Sequence, residues 1–217
     1  MERRSRMADN AKELIDKAIA EKLEINNHSY TKTFQVADLG CSIGPNTFLG
    51  VQNIIDAVEL KYQKTQGQSS FQLPEFQVFF NDQISNDFNQ LFTSLPPERR
   101  YYAMGVLDSF HDRLFSDGSL HFVHSSYSFQ MLSEVPKVVV DKSSPAWNKG
   151  RIHYSNASDE VIRANEAQYV NDMERFLNAR AQEIMNGGPM ALIIPGCPNG
   201  KSHSEAFVNI KIELLGS

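Results

Sequence analysis

The chain has 217 residues, 41% hydrophobic and 22% charged, which is enough for one large domain with a core of ordinary size. A formal net charge of −5, from 21 basic and 26 acidic residues, gives no electrostatic footprint for nucleic acid. No apolar run reaches the roughly 18 residues of a membrane span. Two cysteines, Cys41 and Cys197, are too few for a secreted disulfide scaffold, and the N-terminus lacks a charged-then-apolar secretory pattern. A reducing compartment, the cytoplasm, is therefore the expected setting. The basic cluster Arg3-Arg4-Ser5-Arg6 reads as a solvated terminus.

Helical spacing of Leu14, Ile15, Ala18, Ile19 and Leu23 predicts a helix over 8–25, followed by a polar loop over 26–33. A strand over 34–39 comes next. Val51, Ile54, Ile55, Val58 and Tyr62 then mark an amphipathic helix over 48–62, followed by a polar loop over 63–70. A strand over 76–80 ends at Asn81-Asp82, and a short helix over 88–95 is stopped by Pro96-Pro97. Strands are predicted over 101–107 and 120–125, a short helix over 127–135 before Pro136, and an irregular stretch over 145–154. A long helix over 158–185, closed by Asn186-Gly187-Gly188, precedes a fifth strand over 190–194 that Pro195-Gly196 ends. This alternation predicts an α/β fold with a parallel sheet and helices on both faces. The apolar segment 206–215 needs a surface to bury against, so the fold reads as unfinished at the C-terminus.

The segment Phe34-Gln35-Val36-Ala37-Asp38-Leu39-Gly40-Cys41-Ser42-Ile43-Gly44-Pro45-Asn46 is a strand, an acid, a glycine-bearing turn and a helix start. It sets exposed backbone N–H groups and a carboxylate at one strand tip, where a nucleotide-like cofactor docks. The dinucleotide fingerprint Gly-x-Gly-x-x-Gly is incomplete, because Ser42 stands where the middle glycine would be. An acid before the loop suits a ligand with a cationic end better than a diphosphate. The residues alone leave three readings open: an S-adenosylmethionine loop, a dinucleotide loop and a turn that binds nothing. Asp82, at the second strand end, is placed to accept both hydroxyls of a ribose; its plain alternative is a surface carboxylate.

Several motifs together resemble the plant SABATH family of S-adenosylmethionine-dependent carboxyl and N-methyltransferases, the salicylate, benzoate, jasmonate and caffeine type. They are the loop from Val36 to Asn46, then Asn81-Asp82, Asp87-Phe88-Asn89, and Ser109-Phe110-x-x-Arg113-Leu114-Phe115. His124-Ser125-Ser126-Tyr127-Ser128, Leu132-Ser133-x-Val135-Pro136 and Asn148-Lys149-Gly150 follow in order. The resemblance implies a class I methyltransferase Rossmann-like sheet with a partial helical cap. It implies one domain over 1–217, with cap elements at about 127–160 and beyond 200. It places Cys41 and Asn46 beside Asp38 at the methionine end of the cofactor, and Asp82 with Gln83 at the ribose. Ser109 and Phe110 would frame the adenine, Ser126 would lie near the sulfonium, and Tyr127, Gln130 and Met131 would face the acceptor. Asn148 matches a magnesium ligand of some members. A homodimer is also implied. Against this, Phe110 and Tyr127 can simply pack, His124 reads as a satisfied core histidine, and Asn148 can merely shape a turn.

The implied reaction is a direct displacement, in which a carboxylate takes the methyl group from the sulfonium. A carboxylic acid, with a pKa of about 4, is already an anion at neutral pH, so no catalytic base is expected and none is assigned. Positioning and exclusion of water are the protein's part. Met131 stands where the family usually has a tryptophan whose indole N–H helps hold the acceptor carboxylate; methionine cannot donate, which leaves Gln130 as the nearest donor. The family pattern also implies a cofactor-covering Asn-Ser-x-x-Gln segment before Met1, and sheet strands, cap and further magnesium ligands after Ser217. The alternative is a truncated, catalytically silent homologue that binds cofactor weakly or acts through dimerisation.

Overall fold

The computed structural model describes residues 2–25, 32–66, 73–151, 154 and 157–196, with side chains from residue 11 onward. Most of the loop expected over 26–33, whose last residue Thr33 instead opens the first strand, part of that over 63–70, Cys197 and the segment 206–215 lie outside the described residues. The elements are α1 (Glu2–Lys22), β1 (Thr33–Leu39), α2 (Pro45–Gln66), β2 (Glu75–Asp82), α3 (Phe88–Thr93) and β3 (Tyr101–Leu107). They continue with β4 (Phe122–Ser126), α4 (Lys137–Val140), α5 (Asp159–Glu183) and β5 (Met190–Ile193).

All five strands are parallel, in the order β3-β2-β1-β4-β5. Chain order reverses between β1 and β4, so the loop leaving β1 sits at the topological switch point where α/β sheets bind ligands. Strand β1 shows why both faces are covered. Phe34 and Val36 pack with Ile19 of α1 and Val51, Ile54 and Ile55 of α2. Ala37 and Leu39 pack on the opposite face with Leu120, Val123, Phe129 and Phe176 of α5. A parallel strand buried on both sides carries an almost continuous apolar run, broken here only by Gln35 and Asp38.

Helix α2 opens on Pro45, whose missing N–H costs nothing in a first helical turn. It runs on to Gln66, past the Tyr62 end expected from its apolar stripe. Asp87 caps α3, its side chain accepting from the Gln90 amide at 2.9 Å.

The helix expected over 127–135 is absent, and the structure places the short helix after Pro136 instead. Three features explain this. Tyr127 has φ +58, outside the helical region. The Ser128 hydroxyl is held by the carbonyls of Gly40 (2.8 Å) and Ser126 (3.3 Å). Ser133 gives its N–H (2.8 Å) and O–H (2.6 Å) to Asp172 of α5. Tertiary hydrogen bonds thus replace the i to i−4 ladder.

Candidate cofactor site at the strand tips

The site begins with one buried amide. Asn81, fully buried near the end of β2, accepts at its backbone carbonyl from the N–H groups of Gly40 and Cys41, both at 2.9 Å. Its side-chain Nδ2 donates to the carbonyls of Val106 and Asp108, both at 2.9 Å. One residue therefore fixes the loop after β1 against the end of β3. Gly40 has φ +72 and is overlain by the Ser128 side chain, so only a residue without a Cβ fits there.

Asp82 continues the construction. Its Oδ2 accepts from the Ser42 amide at 2.6 Å and its Oδ1 from the Gln83 amide at 2.8 Å. Ser42 has φ +56, a left-handed conformation held by that bond. Each carboxylate oxygen keeps a second lone pair, so Asp82 can shape the loop and still accept from a ligand. Gln83 itself is exposed. Beyond β3, Asp108 Oδ1 accepts from the Ser109 amide at 2.7 Å, and Ser109 Oγ accepts from the His111 amide at 3.3 Å.

Asp38 is placed differently from a free carboxylate facing a ligand. It is 3% exposed. Oδ2 accepts from the Thr47 hydroxyl and Oδ1 meets His124 Nδ1 at 2.7 Å. Both partners are buried, and the ring of His124 lies beneath Gly50 of α2. Asp38 thus clamps the first turn of α2 to β1 and β4, and His124 is the satisfied core histidine.

Cys41 is buried and donates to the Ser42 carbonyl at 3.3 Å. Burial, with the Asp38 and Asp82 carboxylates adding to it, pushes the thiol well above its ordinary range, so it stays protonated and unreactive. Asn46 is exposed in the first turn of α2.

The adenine-side candidates lie on a clamped loop. Phe110 is buried, with its ring centroid 5.8 Å from Phe129 and 6.2 Å from Phe176, and it also approaches the position above Gly40. On the acceptor side, Ser126 ends β4, and the Tyr127 amide donates to the Ile193 carbonyl at 2.9 Å. Tyr127 is 44% and Met131 62% exposed, so both present apolar surface at this end of the sheet. Gln130 turns its amide nitrogen onto the Tyr127 carbonyl at 2.5 Å, which occupies one N–H of the donor expected to meet a carboxylate.

Asn148 does not join this cluster. Its Nδ2 donates to the Arg151 carbonyl at 3.0 Å and its backbone N–H to Val139 at 2.9 Å, bonds that shape the turn before Gly150. Among the described residues no three His, Cys, Asp or Glu side chains gather to hold a metal ion. The described residues do not by themselves assemble a magnesium site around Asn148. A small pocket lined by Leu23, Glu24, Phe34, Tyr62 and His121 lies at the other end of the strands, away from Asp82 and Asp108.

Sequence reasoning missed the residues that hold the site together. Asn81 was visible only as a neighbour of Asp82, and Ser128 only as the last residue of a motif. Arg180 and Glu183 left a readable signal: two charges three residues apart on the helical stripe that also carries Phe176 and Ala179.

Residues 2–217 match the model of a family described as SAM dependent carboxyl methyltransferase. Loganic acid O-methyltransferase of Catharanthus roseus is 50% identical over 196 residues, covering 89% of this chain and 52% of that protein. Farnesoic acid carboxyl-O-methyltransferase of Arabidopsis thaliana is 47% identical over 207 residues, covering 95% of this chain and 58% of the relative. A solved structure described as loganic acid methyltransferase with SAH superimposes with a TM-score of 0.90 at 48% identity, over 97% of this chain and 59% of that one. The chain spans a little over half the length of these relatives. With its loop, sheet order and sequence all in agreement, the chain belongs to the SAM-dependent carboxyl methyltransferase family.

Proposed function

We propose that the chain binds S-adenosylmethionine at the tips of β1 to β4 and serves methyl transfer to the carboxylate of a small plant metabolite, leaving S-adenosylhomocysteine. The observation that carries this is the loop 40–44, fixed by Asn81 and Asp82 at the switch point. Asp82 and Asp108 stand at neighbouring strand ends, while Asp38 is buried and bonded to Thr47 and His124. That acid-rich rim favours a ligand with cationic sulfonium and ammonium groups over a dinucleotide diphosphate. The cofactor, when bound, supplies an electrophilic methyl group.

The chain's own residues bind and orient. Asp82 has lone pairs free for the ribose hydroxyls, with Gln83 beside it. Ser109 and Phe110 edge the adenine position, and the loop from Asp38 to Asn46 receives the methionine end. Ser126 lies toward the sulfonium. Tyr127, Gln130 and Met131 border the acceptor, the Tyr127 ring and Met131 as apolar neighbours and Gln130 as the nearest donor. An acceptor carboxylic acid is ionised at neutral pH, so no side chain need remove a proton, and precise placement in a dry site carries the rate. The assembled loop favours this reading over a silent homologue. A homodimer belongs to it through the family resemblance, and a cytoplasmic setting through the two-cysteine composition; light scattering and a fluorescent fusion test these.

The deciding experiment is calorimetric titration of the folded chain with S-adenosylhomocysteine and, separately, NAD. Binding of the first and not the second is expected; no binding of S-adenosylhomocysteine refutes the reading. Transfer of labelled methyl to a panel of plant acids then tests the reaction itself.

A further inference from the structure

Of the three charged side chains almost wholly buried on α5, Asp172, Arg180 and Glu183, the last two lie far along the chain from every motif of the site. Arg180 is 1% exposed and Glu183 0%, and they pair at 2.6 Å. Burying an ion pair costs several kcal/mol of desolvation per ion, so an apolar pair would serve stability as well or better. What these two residues touch gives them another role. Arg180 donates to the carbonyls of Phe110 (2.8 Å) and Asp112 (2.9 Å). Glu183 Oε1 accepts from the amides of Leu114 (2.5 Å) and Phe115 (2.9 Å). The stretch from 108 to 121 contains no helix, so its peptide groups have no ladder of their own. The pair supplies one: guanidinium for two carbonyls, carboxylate for two amides. Arg175 adds an outer tie, its Nη2 lying 2.6 Å from each carboxylate oxygen of Asp112. The Arg180 guanidinium also lies 5.1 Å from the ring centroid of Phe176, which packs edge-on against Phe110.

We propose that Arg180 and Glu183 are positioning residues for cofactor binding, a buried clamp that holds the Ser109–Phe110 loop in its ligand-ready shape before the ligand arrives. This rests on the reading of Ser109 and Phe110 as the adenine edge of the site. Because the clamp grips backbone groups, it fixes the shape of the loop whatever side chains the loop carries. Preformed geometry removes the ordering cost that a free loop would charge against affinity.

Two measurements test it. First, the double variant Arg180→Met with Glu183→Gln removes both charges together, so no lone charge is left buried. S-adenosylhomocysteine affinity is measured by calorimetry at a temperature where circular dichroism shows the variant folded. A Kd raised about tenfold is expected. A purely structural role lowers Tm but leaves the Kd of the folded protein unchanged, and that result overturns the proposal. Second, hydrogen exchange on the ligand-free wild-type chain needs no variant. The amides of Leu114 and Phe115 are expected to be strongly protected already. Rapid exchange that slows only when S-adenosylhomocysteine is bound overturns the preformed clamp. Failure of the wild-type chain to bind S-adenosylhomocysteine overturns the functional reading and this inference with it. Wild-type binding with unchanged variant affinity overturns this inference alone.

Discussion

Gly40→Ala is the most exposing single change available at the site. A Cβ at this position falls far inside van der Waals contact of both Ser128 Oγ and Ser128 Cβ, with Phe110 Cε1 at 3.5 Å behind. The φ of +72 costs a residue with a Cβ about 1–2 kcal/mol. Driving Ser128 away costs about 1–3 kcal/mol of overpacking and about 1 kcal/mol for its lost bond to the Gly40 carbonyl. The expected destabilisation is about 3–6 kcal/mol, a large share of the roughly 5–15 kcal/mol that holds a domain folded. Urea unfolding followed by circular dichroism measures it. Adding Ser128→Gly to Gly40→Ala should return the packing part and leave the backbone part. Ser128→Ala should not, because the clash includes Ser128 Cβ. A Gly40→Ala protein within 1 kcal/mol of wild type, by the ~1 kcal/mol scale of ordinary substitutions, would refute the reasoning.

Three further outcomes are expected. Asp82→Ala should weaken S-adenosylhomocysteine binding by tenfold or more, on the scale of roughly 1.5–3 kcal/mol for hydrogen bonds to a charged group; an unchanged Kd removes Asp82 from the ribose. Asn81→Leu leaves the Val106 and Asp108 carbonyls without their donor and should cost about 2–4 kcal/mol in chemical denaturation, with no loss above the scatter counting against the knitting role. Burial lowers the pKa of His121, whose Nδ1 accepts from the Gln35 amide at 3.1 Å, and so requires a neutral ring. The unfolded chain therefore takes up protons first, and stability is full above pH about 6.5 and falls as pH drops through the folded pKa. Tm measured from pH 8 to 5 should decline toward acid. His111, lowered by burial against the pull of Asp172, adds to the slope, so His121→Gln should flatten it only in part. An unaltered slope in that variant excludes His121.

What could be read from the chain divides along a physical line. β1, β2 and β3 were legible as short apolar runs, β1 because it is buried on both faces and β3 in spite of being a largely exposed edge strand, and α2 and α5 because their apolar residues recur at helical spacing. The ends drifted by a few residues where no cap signal stood. The loop from Gly40 to Gly44 was legible as a glycine-bearing turn between a strand and a helix, while the residues alone left open what it holds. Residues 127–135 misled because their composition suits a short helix while Ser128 and Ser133 are claimed by Gly40 and Asp172, partners 88 and 39 residues away. Asp38 looked free because neither Thr47 nor His124 can be seen from its neighbours. The metal expectation at Asn148 came from resemblance alone, and the turn it builds needs only its amide.

Asn81 also ties the binding floor to the alignment of the sheet. Successive side chains of a strand point to opposite faces. A slip of β2 by one position would bring Phe80 or Asp82 to the place where Asn81 now reaches Val106 and Asp108. The amides of Gly40 and Cys41 would then meet the wrong carbonyl, and the loop would lose its shape although the sheet could still form. On the proposed function, S-adenosylhomocysteine affinity would therefore serve as a proofreading signal for strand alignment, able to separate correctly registered molecules from near-native ones that circular dichroism would count as folded.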